Sequence, residues 1–489
     1  MQDIGQLLRQ MTLEEKVSLL AGSDMWHTTS VERLGIPALK MTDGPNGARG
    51  GGGFSAGVRA ACFPVGIALA SSWNVELVAR VGQALGQEAR TKGASMLLAP
   101  TVNIHRSPLN GRNFECYSED PYLSGQLAVA YINGLQSQGV GATIKHFVCN
   151  DSEYQRNSIS SEVDERTLHE IYLRPFQMAV RQAHPWAVMA AYNRVNGIFA
   201  GEHPETLTKI LRQQWGFDGI VMSDWFGTQS TSAAVSAGLD LEMPGPAIWR
   251  GKKLLQAVES GELAEAAIDG CVRRLLSLLL RAGAFEHPVE LPEQAIDRPE
   301  HRAIARQAAV EGIVLLKNEQ DVLPLQAETV HSLALIGPHA KTARIMAGGS
   351  SQVTAHYAIS PFEAITRRAD ARTRVGYEQG CANYRFLPLL DMNRMLKGEH
   401  EGATRGLTVE YFNGPDPSGP PVHSEETTTA ELSWFGTLPG GVDPRQFSVR
   451  ASGQFVAEET GTYTFGLVST GLSRLFLAGQ QVIDNWTDQ

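Results

Sequence analysis

The sequence predicts an α/β fold: a TIM-like (β/α) barrel, then a partial doubly wound α/β sandwich domain, then a truncated all-β sandwich module. Three observations predict it. Over the first ~250 residues, short apolar runs bounded by glycine alternate with amphipathic stretches of helical period, as in a parallel barrel. A proline- and charge-rich linker at 286–300 is followed by a second, shorter strand and helix alternation. From about Gly406 the helical period vanishes and alternation of period two replaces it. The domain boundaries are 1–285 for the barrel, 286–300 for the linker, 301–404 for the first part of the α/β sandwich and 405–489 for the β module.

The elements follow in order. Met1 to Leu20 reads as an amphipathic helix, with Thr12-Leu13-Glu14-Glu15 a capping box. Seven strand-like runs come next: Pro37 to Thr42, Val65 to Ala70, Ser95 to Ala99, Gly141 to Lys145, Ala187 to Ala191, Gly219 to Ser223 and Leu239 to Glu242. Helices are expected at Val75 to Lys92, Leu123 to Gln136, Glu165 to Gln182 and Thr206 to Gln214, then at Lys252 to Ser260 and Leu263 to Ala282. The second pattern has a helix at Arg302 to Glu311, strands at Ile313 to Leu316 and Leu333 to Ile336, a helix near Pro361 to Arg368 and a strand near Thr373 to Gly376. In the β module, strands are expected at Leu407 to Phe412, Phe447 to Ala451, Thr462 to Val468 and Ser473 to Leu477.

Composition excludes several classes of function. A net charge of −10 without a basic block argues against a nucleic-acid partner, and no apolar run approaches the ~20 residues that span a bilayer. Five scattered cysteines without metal-site spacing read as free thiols, and the N-terminus lacks signal-peptide character, so a cytoplasmic location is expected. No metal or cofactor is called for. No feature specifies an oligomeric state.

Polar residues gather just beyond the strand runs. Asp43 follows the first, Arg112 lies in the loop after the third, Lys145 and His146 end the fourth, Tyr192 follows the fifth and Asp224 ends the sixth. Each alone has a structural explanation: a turn acid, a surface ion pair, a satisfied core pair, a helix cap. Together, at one end of one barrel, they make a site, because catalytic side chains of such barrels stand at the C-terminal ends of the strands. The loop Gly348-Gly349-Ser350-Ser351 could carry polar groups toward a neighbouring domain.

These residues sit in motifs that resemble glycoside hydrolase family 3, of the β-glucosidase type: Thr42-Asp43-Gly44-Pro45-Asn46-Gly47-Ala48-Arg49, Gly111-Arg112-Asn113-Phe114-Glu115, Lys145-His146-Phe147, Met189-Ala190-Ala191-Tyr192-Asn193, Ser223-Asp224-Trp225 and Gly238-Leu239-Asp240-Leu241-Glu242-Met243-Pro244. The last segment resembles a protective-antigen-type β-sandwich module inserted in the second domain. The resemblance implies a retaining exo-acting β-glucosidase that takes terminal β-D-glucosyl residues from small β-glucosides or oligosaccharides through a covalent glycosyl-enzyme. By it Asp224 is the nucleophile; Asp43, Arg49, Arg112, Lys145, His146, Arg156, Tyr192, Trp225 and Ser350 bind the sugar. Cations around Asp224 are expected to hold its pKa down. The family's acid/base glutamate follows the inserted module, so it is expected beyond residue 489, and neither Glu153 nor Glu242 is expected to replace it. No histidine follows Lys145-His146-Phe147 in a Gly-rich loop, which favours the glucosidase branch over the N-acetylglucosaminidase one. Alternatives are a β-xylosidase or other exo-glycosidase of the same family, a Schiff-base aldolase using Lys145, and a non-catalytic sugar-binding protein.

Overall fold

The computed structural model describes residues 3–51, 57–326, 328–384, 387–397, 404–434, 438–457 and 459–486. The chain divides into two compact units: residues 3–326 with 343–359, and residues 328–342 with 360–486. The first two positions of the expected N-terminal helix and the last three of the β module lie outside the described residues.

The first unit is built around a closed ring of strands. Met41–Thr42, Met96–Leu97, Gly141–Phe147, Ala187–Ala190 and Ile220–Ser223 lie side by side in chain order, all parallel. The run at 239–242 continues the ring through single pairs: Leu241 beside Met222 and Glu242 beside Ala21, both parallel. Antiparallel pairs Gly22–Thr28 and His27–Lys40 then lead back to Met41. The barrel therefore has eight staves among the described residues, and the one at 26–28 runs against its neighbours.

Val65 to Ala70, expected as a strand, is instead the helix Gly66–Ser71. A short apolar run fits either period; here Leu69 and Ala70 are buried while Ile67 is exposed, the one-sided pattern of a helix. The missing staves come from 20–22 and 26–28, which carry no strand pattern. The expected N-terminal helix is two, Ile4–Gln10 and Leu13–Leu19, and the capping box is formed, Thr12 Oγ1 accepting from Glu15 N at 3.3 Å and Glu15 Oε2 accepting from Thr12 N at 2.9 Å. Alternate strand residues enter two cores, as a period of two requires. Leu97, Ile144, Val188 and Val221 pack with the helices Val75–Thr91 and Pro121–Gln136, while Met41, Met96, Met189 and Met222 pack with Leu241 and the helix Glu265–Arg281.

The helix Pro299–Glu311 belongs to this unit and is tied to it by His301, whose Nδ1 lies 2.7 Å from the buried Glu88. Beyond it Ile313 to Leu316, expected as a strand, forms none among the described residues and is exposed. Residues 343–359 also lie on the barrel unit, through an Ala355–Ala60 pair and Ser351, whose backbone sits so close to Gly44 that a Cβ there would approach it to 3.2 Å.

The second unit holds a parallel pair, Ser332–Ile336 and Arg374–Glu378, with the helix Pro361–Arg368. Its β module contains an antiparallel sheet of His423–Thr427, Leu407–Asn413 and Phe447–Ser452, plus the hairpin Ser473–Leu477 and Gln480–Asn485. Thr462 to Val468, expected as a strand, runs as irregular backbone.

Candidate active site

The site is assembled at the strand ends. Asp43 follows the strand Met41–Thr42 and is buried; Lys145 donates to its Oδ1 at 2.8 Å with both side chains almost wholly out of solvent. Lys145 and His146 are adjacent on one strand, so regular pleating would send them to opposite faces. The register with Ala187–Ala190 shifts between Ile144 and Phe147. Such an irregularity re-aims side chains, and here it lets Lys145 reach Asp43 while His146 Nε2 comes 3.5 Å from Asp224 Oδ2. Asp224 ends its own strand, its Oδ1 accepting from Trp225 N at 2.7 Å. Its Oδ2 is buried and has no hydrogen-bond partner among the described residues.

A cationic and aromatic wall surrounds the two acids. Arg112 Nε donates to Glu115 Oε1 at 2.5 Å, and Thr101 Oγ1 donates to the other oxygen of Glu115 at 3.1 Å. Arg156 lies over the Tyr192 ring at 4.5 Å and donates to Glu153 at 2.8 Å. The Tyr192 hydroxyl donates to the Trp225 carbonyl at 2.7 Å. Trp225 is held by its indole N–H on Met25 O at 3.0 Å and faces Trp26 at 5.6 Å. Arg49 stands 5.9 Å from the Trp26 ring and donates to the Ser350 carbonyl at 3.4 Å, so Ser350 joins the site through its backbone.

Electrostatics correct one expectation. Asp224 does not have its pKa held down by cations: burial raises it, and Arg112, Lys145, the Trp225 N–H and Arg156 offset only part of that. Burial likewise raises Asp43 against the pull of Lys145. Glu115 behaves oppositely, because Arg112 and Lys145 outweigh its burial and its carboxyl stays low. Burial, reinforced by Arg112, Lys145 and Arg156, lowers His146 well below the usual histidine range, so its ring is neutral.

All ten residues expected at the site are found at this rim or on the elements that build it. Sequence reasoning passed over Glu115, although it closes the motif beginning at Gly111, and Trp26, whose segment had no strand signal. It also missed Asn103, four residues past the run ending at Ala99, where the same strand-end rule pointed. Of the glutamates weighed, Glu153 is paired with Arg156, and Glu242 accepts from the backbone N–H groups of Ile248, Trp249 and Arg250 at 2.8–3.2 Å, which makes it a structural acid.

The model for the glycosyl hydrolase family 3 N-terminal domain matches residues 1–278, and that for the PA14 domain matches residues 404–489. A protein of Rhizobium radiobacter described as a beta-glucosidase is 52% identical over 483 residues, 99% of this chain and 57% of the relative. A probable beta-glucosidase I of Aspergillus oryzae is 45% identical over 494 residues, 100% of this chain and 57% of its own length. The crystal structure of a beta-glucosidase from Kluyveromyces marxianus in complex with glucose superposes with a TM-score of 0.88 at 37% identity, covering 100% of this chain and 60% of that one. Beta-glucosidase 3B from Thermotoga neapolitana in complex with glucose has a TM-score of 0.69 at 40% identity, over 77% of this chain and 55% of that one. The chain thus spans about 57% of the length of the curated relatives it matches.

Proposed function

Because the chain belongs to glycosyl hydrolase family 3, we propose that it carries the glycosyl-transfer centre of a retaining, exo-acting β-glucosidase acting on small β-glucosides or oligosaccharides. The observation that carries this is Asp224 Oδ2, a buried carboxylate oxygen at a strand end with no hydrogen-bond partner among the described residues, ringed by Arg112, Lys145 and Arg156. An unengaged carboxylate is free to attack. Its oxygen forms a bond to the anomeric carbon as the bond to the aglycone oxygen breaks, and water later displaces the sugar from Asp224. The cations stabilise the carboxylate both before attack and as the leaving group of the second step. Asp43 and Lys145 hold distal hydroxyls, with Arg49, Arg112, His146, Tyr192, Trp225 and the Ser350 loop completing the pocket. The beta-glucosidases whose structures contain glucose support the sugar assignment.

In this reading the proton required by the departing oxygen comes from none of Glu115, Glu153 and Glu242; the arginine or backbone partners of each support that. Five free thiols support a reducing, cytoplasmic setting. The deciding experiment is incubation with a dinitrophenyl 2-deoxy-2-fluoro-glucoside, followed by peptide mass spectrometry. The fluorosugar is expected on Asp224; a label on any other residue overturns the assignment.

A further inference from the structure

We propose that Asn103 is a positioning residue that fixes the ring tautomer of His146, so that His146 Nε2 and Asp224 Oδ2 form a pair of acceptors for a sugar hydroxyl. The ligand half of this rests on the glycosidase reading; the tautomer half does not.

Asn103 is buried, and its side-chain amide exchanges two bonds with the backbone of His146. Nδ2 donates to His146 O at 2.9 Å and Oδ1 accepts from His146 N at 2.9 Å. These two bonds settle which end of the amide is oxygen, since the flipped amide would set donor against donor and acceptor against acceptor. The same Oδ1 lies 3.1 Å from His146 Nδ1. An amide oxygen only accepts, so Nδ1 carries the proton. Burial and three neighbouring cations keep the ring neutral, which leaves Nε2 bare.

That bare nitrogen faces Asp224 Oδ2 across 3.5 Å. Neither atom brings a proton when the carboxylate is ionised, and the oxygen has no other partner among the described residues. The Tyr192 hydroxyl, which also lies beside Asp224, donates to Trp225 O at 2.7 Å. Two buried acceptors facing each other without a donor is an unfavourable arrangement that a donor relieves. A hydroxyl beside the reacting carbon of a sugar supplies one. The opposite tautomer would place N–H on Nε2, satisfy Asp224 internally and blunt the oxygen that must attack. Asn103 thus acts through His146 and touches no substrate.

The test is long-range nitrogen NMR on the whole chain with ¹⁵N-histidine, the His146 signals being those lost from among the thirteen histidines in a His146→Asn variant. Unliganded chain is expected to show a protonated Nδ1 and a bare Nε2. Asn103→Leu should move the ring toward the Nε2–H form and weaken glucose binding by about tenfold, the scale of one hydrogen bond. Asn103→Asp keeps the acceptor and should restore the Nδ1–H signature. A protonated Nε2 in the parent chain overturns the proposal, as does an unchanged tautomer in folded Asn103→Leu. Glucose failing to bind while the parent signature is as expected would overturn the ligand half together with the glycosidase reading, and leave the tautomer standing.

Discussion

Removing Asp43 should cost more stability than removing Lys145. The two make one buried ion pair at 2.8 Å, with side-chain exposures of 7% and 2%. At an effective dielectric of about 20 their attraction is roughly 6 kcal/mol, much of it offset by the desolvation of both charges. Breaking such a pair typically costs about 3–5 kcal/mol, roughly two to four powers of ten in the ratio of folded to unfolded chain. Asp43→Ala leaves an ammonium buried without its carboxylate and should lose that full amount. Lys145→Met leaves a carboxyl whose pKa burial already raises, so it can escape by binding a proton. The sign follows: with its folded pKa raised, Asp43 contributes stability that is present below its unfolded pKa and lost as pH rises through the folded one. Lys145→Met should therefore approach the parent in acid and fall away toward neutrality. Asp43→Leu with Lys145→Met removes both charges and should sit within about 1 kcal/mol of the parent, as a neutral, packed replacement does. Urea unfolding followed by the fluorescence of Trp26 and Trp225, in the same unit, reads all three. A loss below about 1 kcal/mol for Asp43→Ala, or a double variant worse than both singles added, refutes this reasoning.

Other outcomes are expected. Asp224→Asn should raise the melting temperature near neutral pH but not in acid, because burial raises the carboxyl's pKa and the asparagine mimics its protonated form; calorimetry at two pH values checks this. The chain as it stands should release dinitrophenol from its glucoside slowly, yet give no measurable turnover of an alkyl glucoside, whose leaving group needs a proton worth about 10²–10⁴-fold; rapid alkyl hydrolysis would place an acid among these residues. Glu242→Gln should destabilise by about 1.5–3 kcal/mol in urea, since a carboxylate receiving three successive backbone N–H groups is replaced by a neutral amide. Glucose should change the emission of the Trp26–Trp225 pair, and the change should be absent in Trp225→Phe.

The strands and helices with strong period were legible in the sequence, because burial imposes the pattern directly: Gly141 to Lys145, Ala187 to Ala191 and Gly219 to Ser223 are all found as parallel neighbours. Val65 to Ala70 was not, since six apolar residues satisfy either period. The staves at 20–22 and 26–28 are held by single pairs and leave no alternation to read. At the site, a position after a strand located Asp43 and Asp224 well. What escaped was pairing across the ring: that Lys145 answers Asp43, that Glu115 rather than Asp224 takes the Arg112 bond, and that Asn103 clasps His146. It was also invisible that burial outweighs the cations at Asp224, because desolvation depends on how completely the loops close over the rim.

The seam of the barrel, Ala21 against Glu242, has a consequence for how the chain is made. It joins the first stave to the last, so no partial length emerging from a ribosome can close the ring before Glu242 and the turn at 248–250 that engages its carboxylate have appeared. Until then the Ala21 and Ile220 edges of a curled sheet stand open, with apolar faces that later become two cores. Closure of so long a loop is slow relative to local helix and strand formation. The growing chain therefore has no closed ring until residue 242 has emerged, and that interval is when it most needs protection from association with its neighbours.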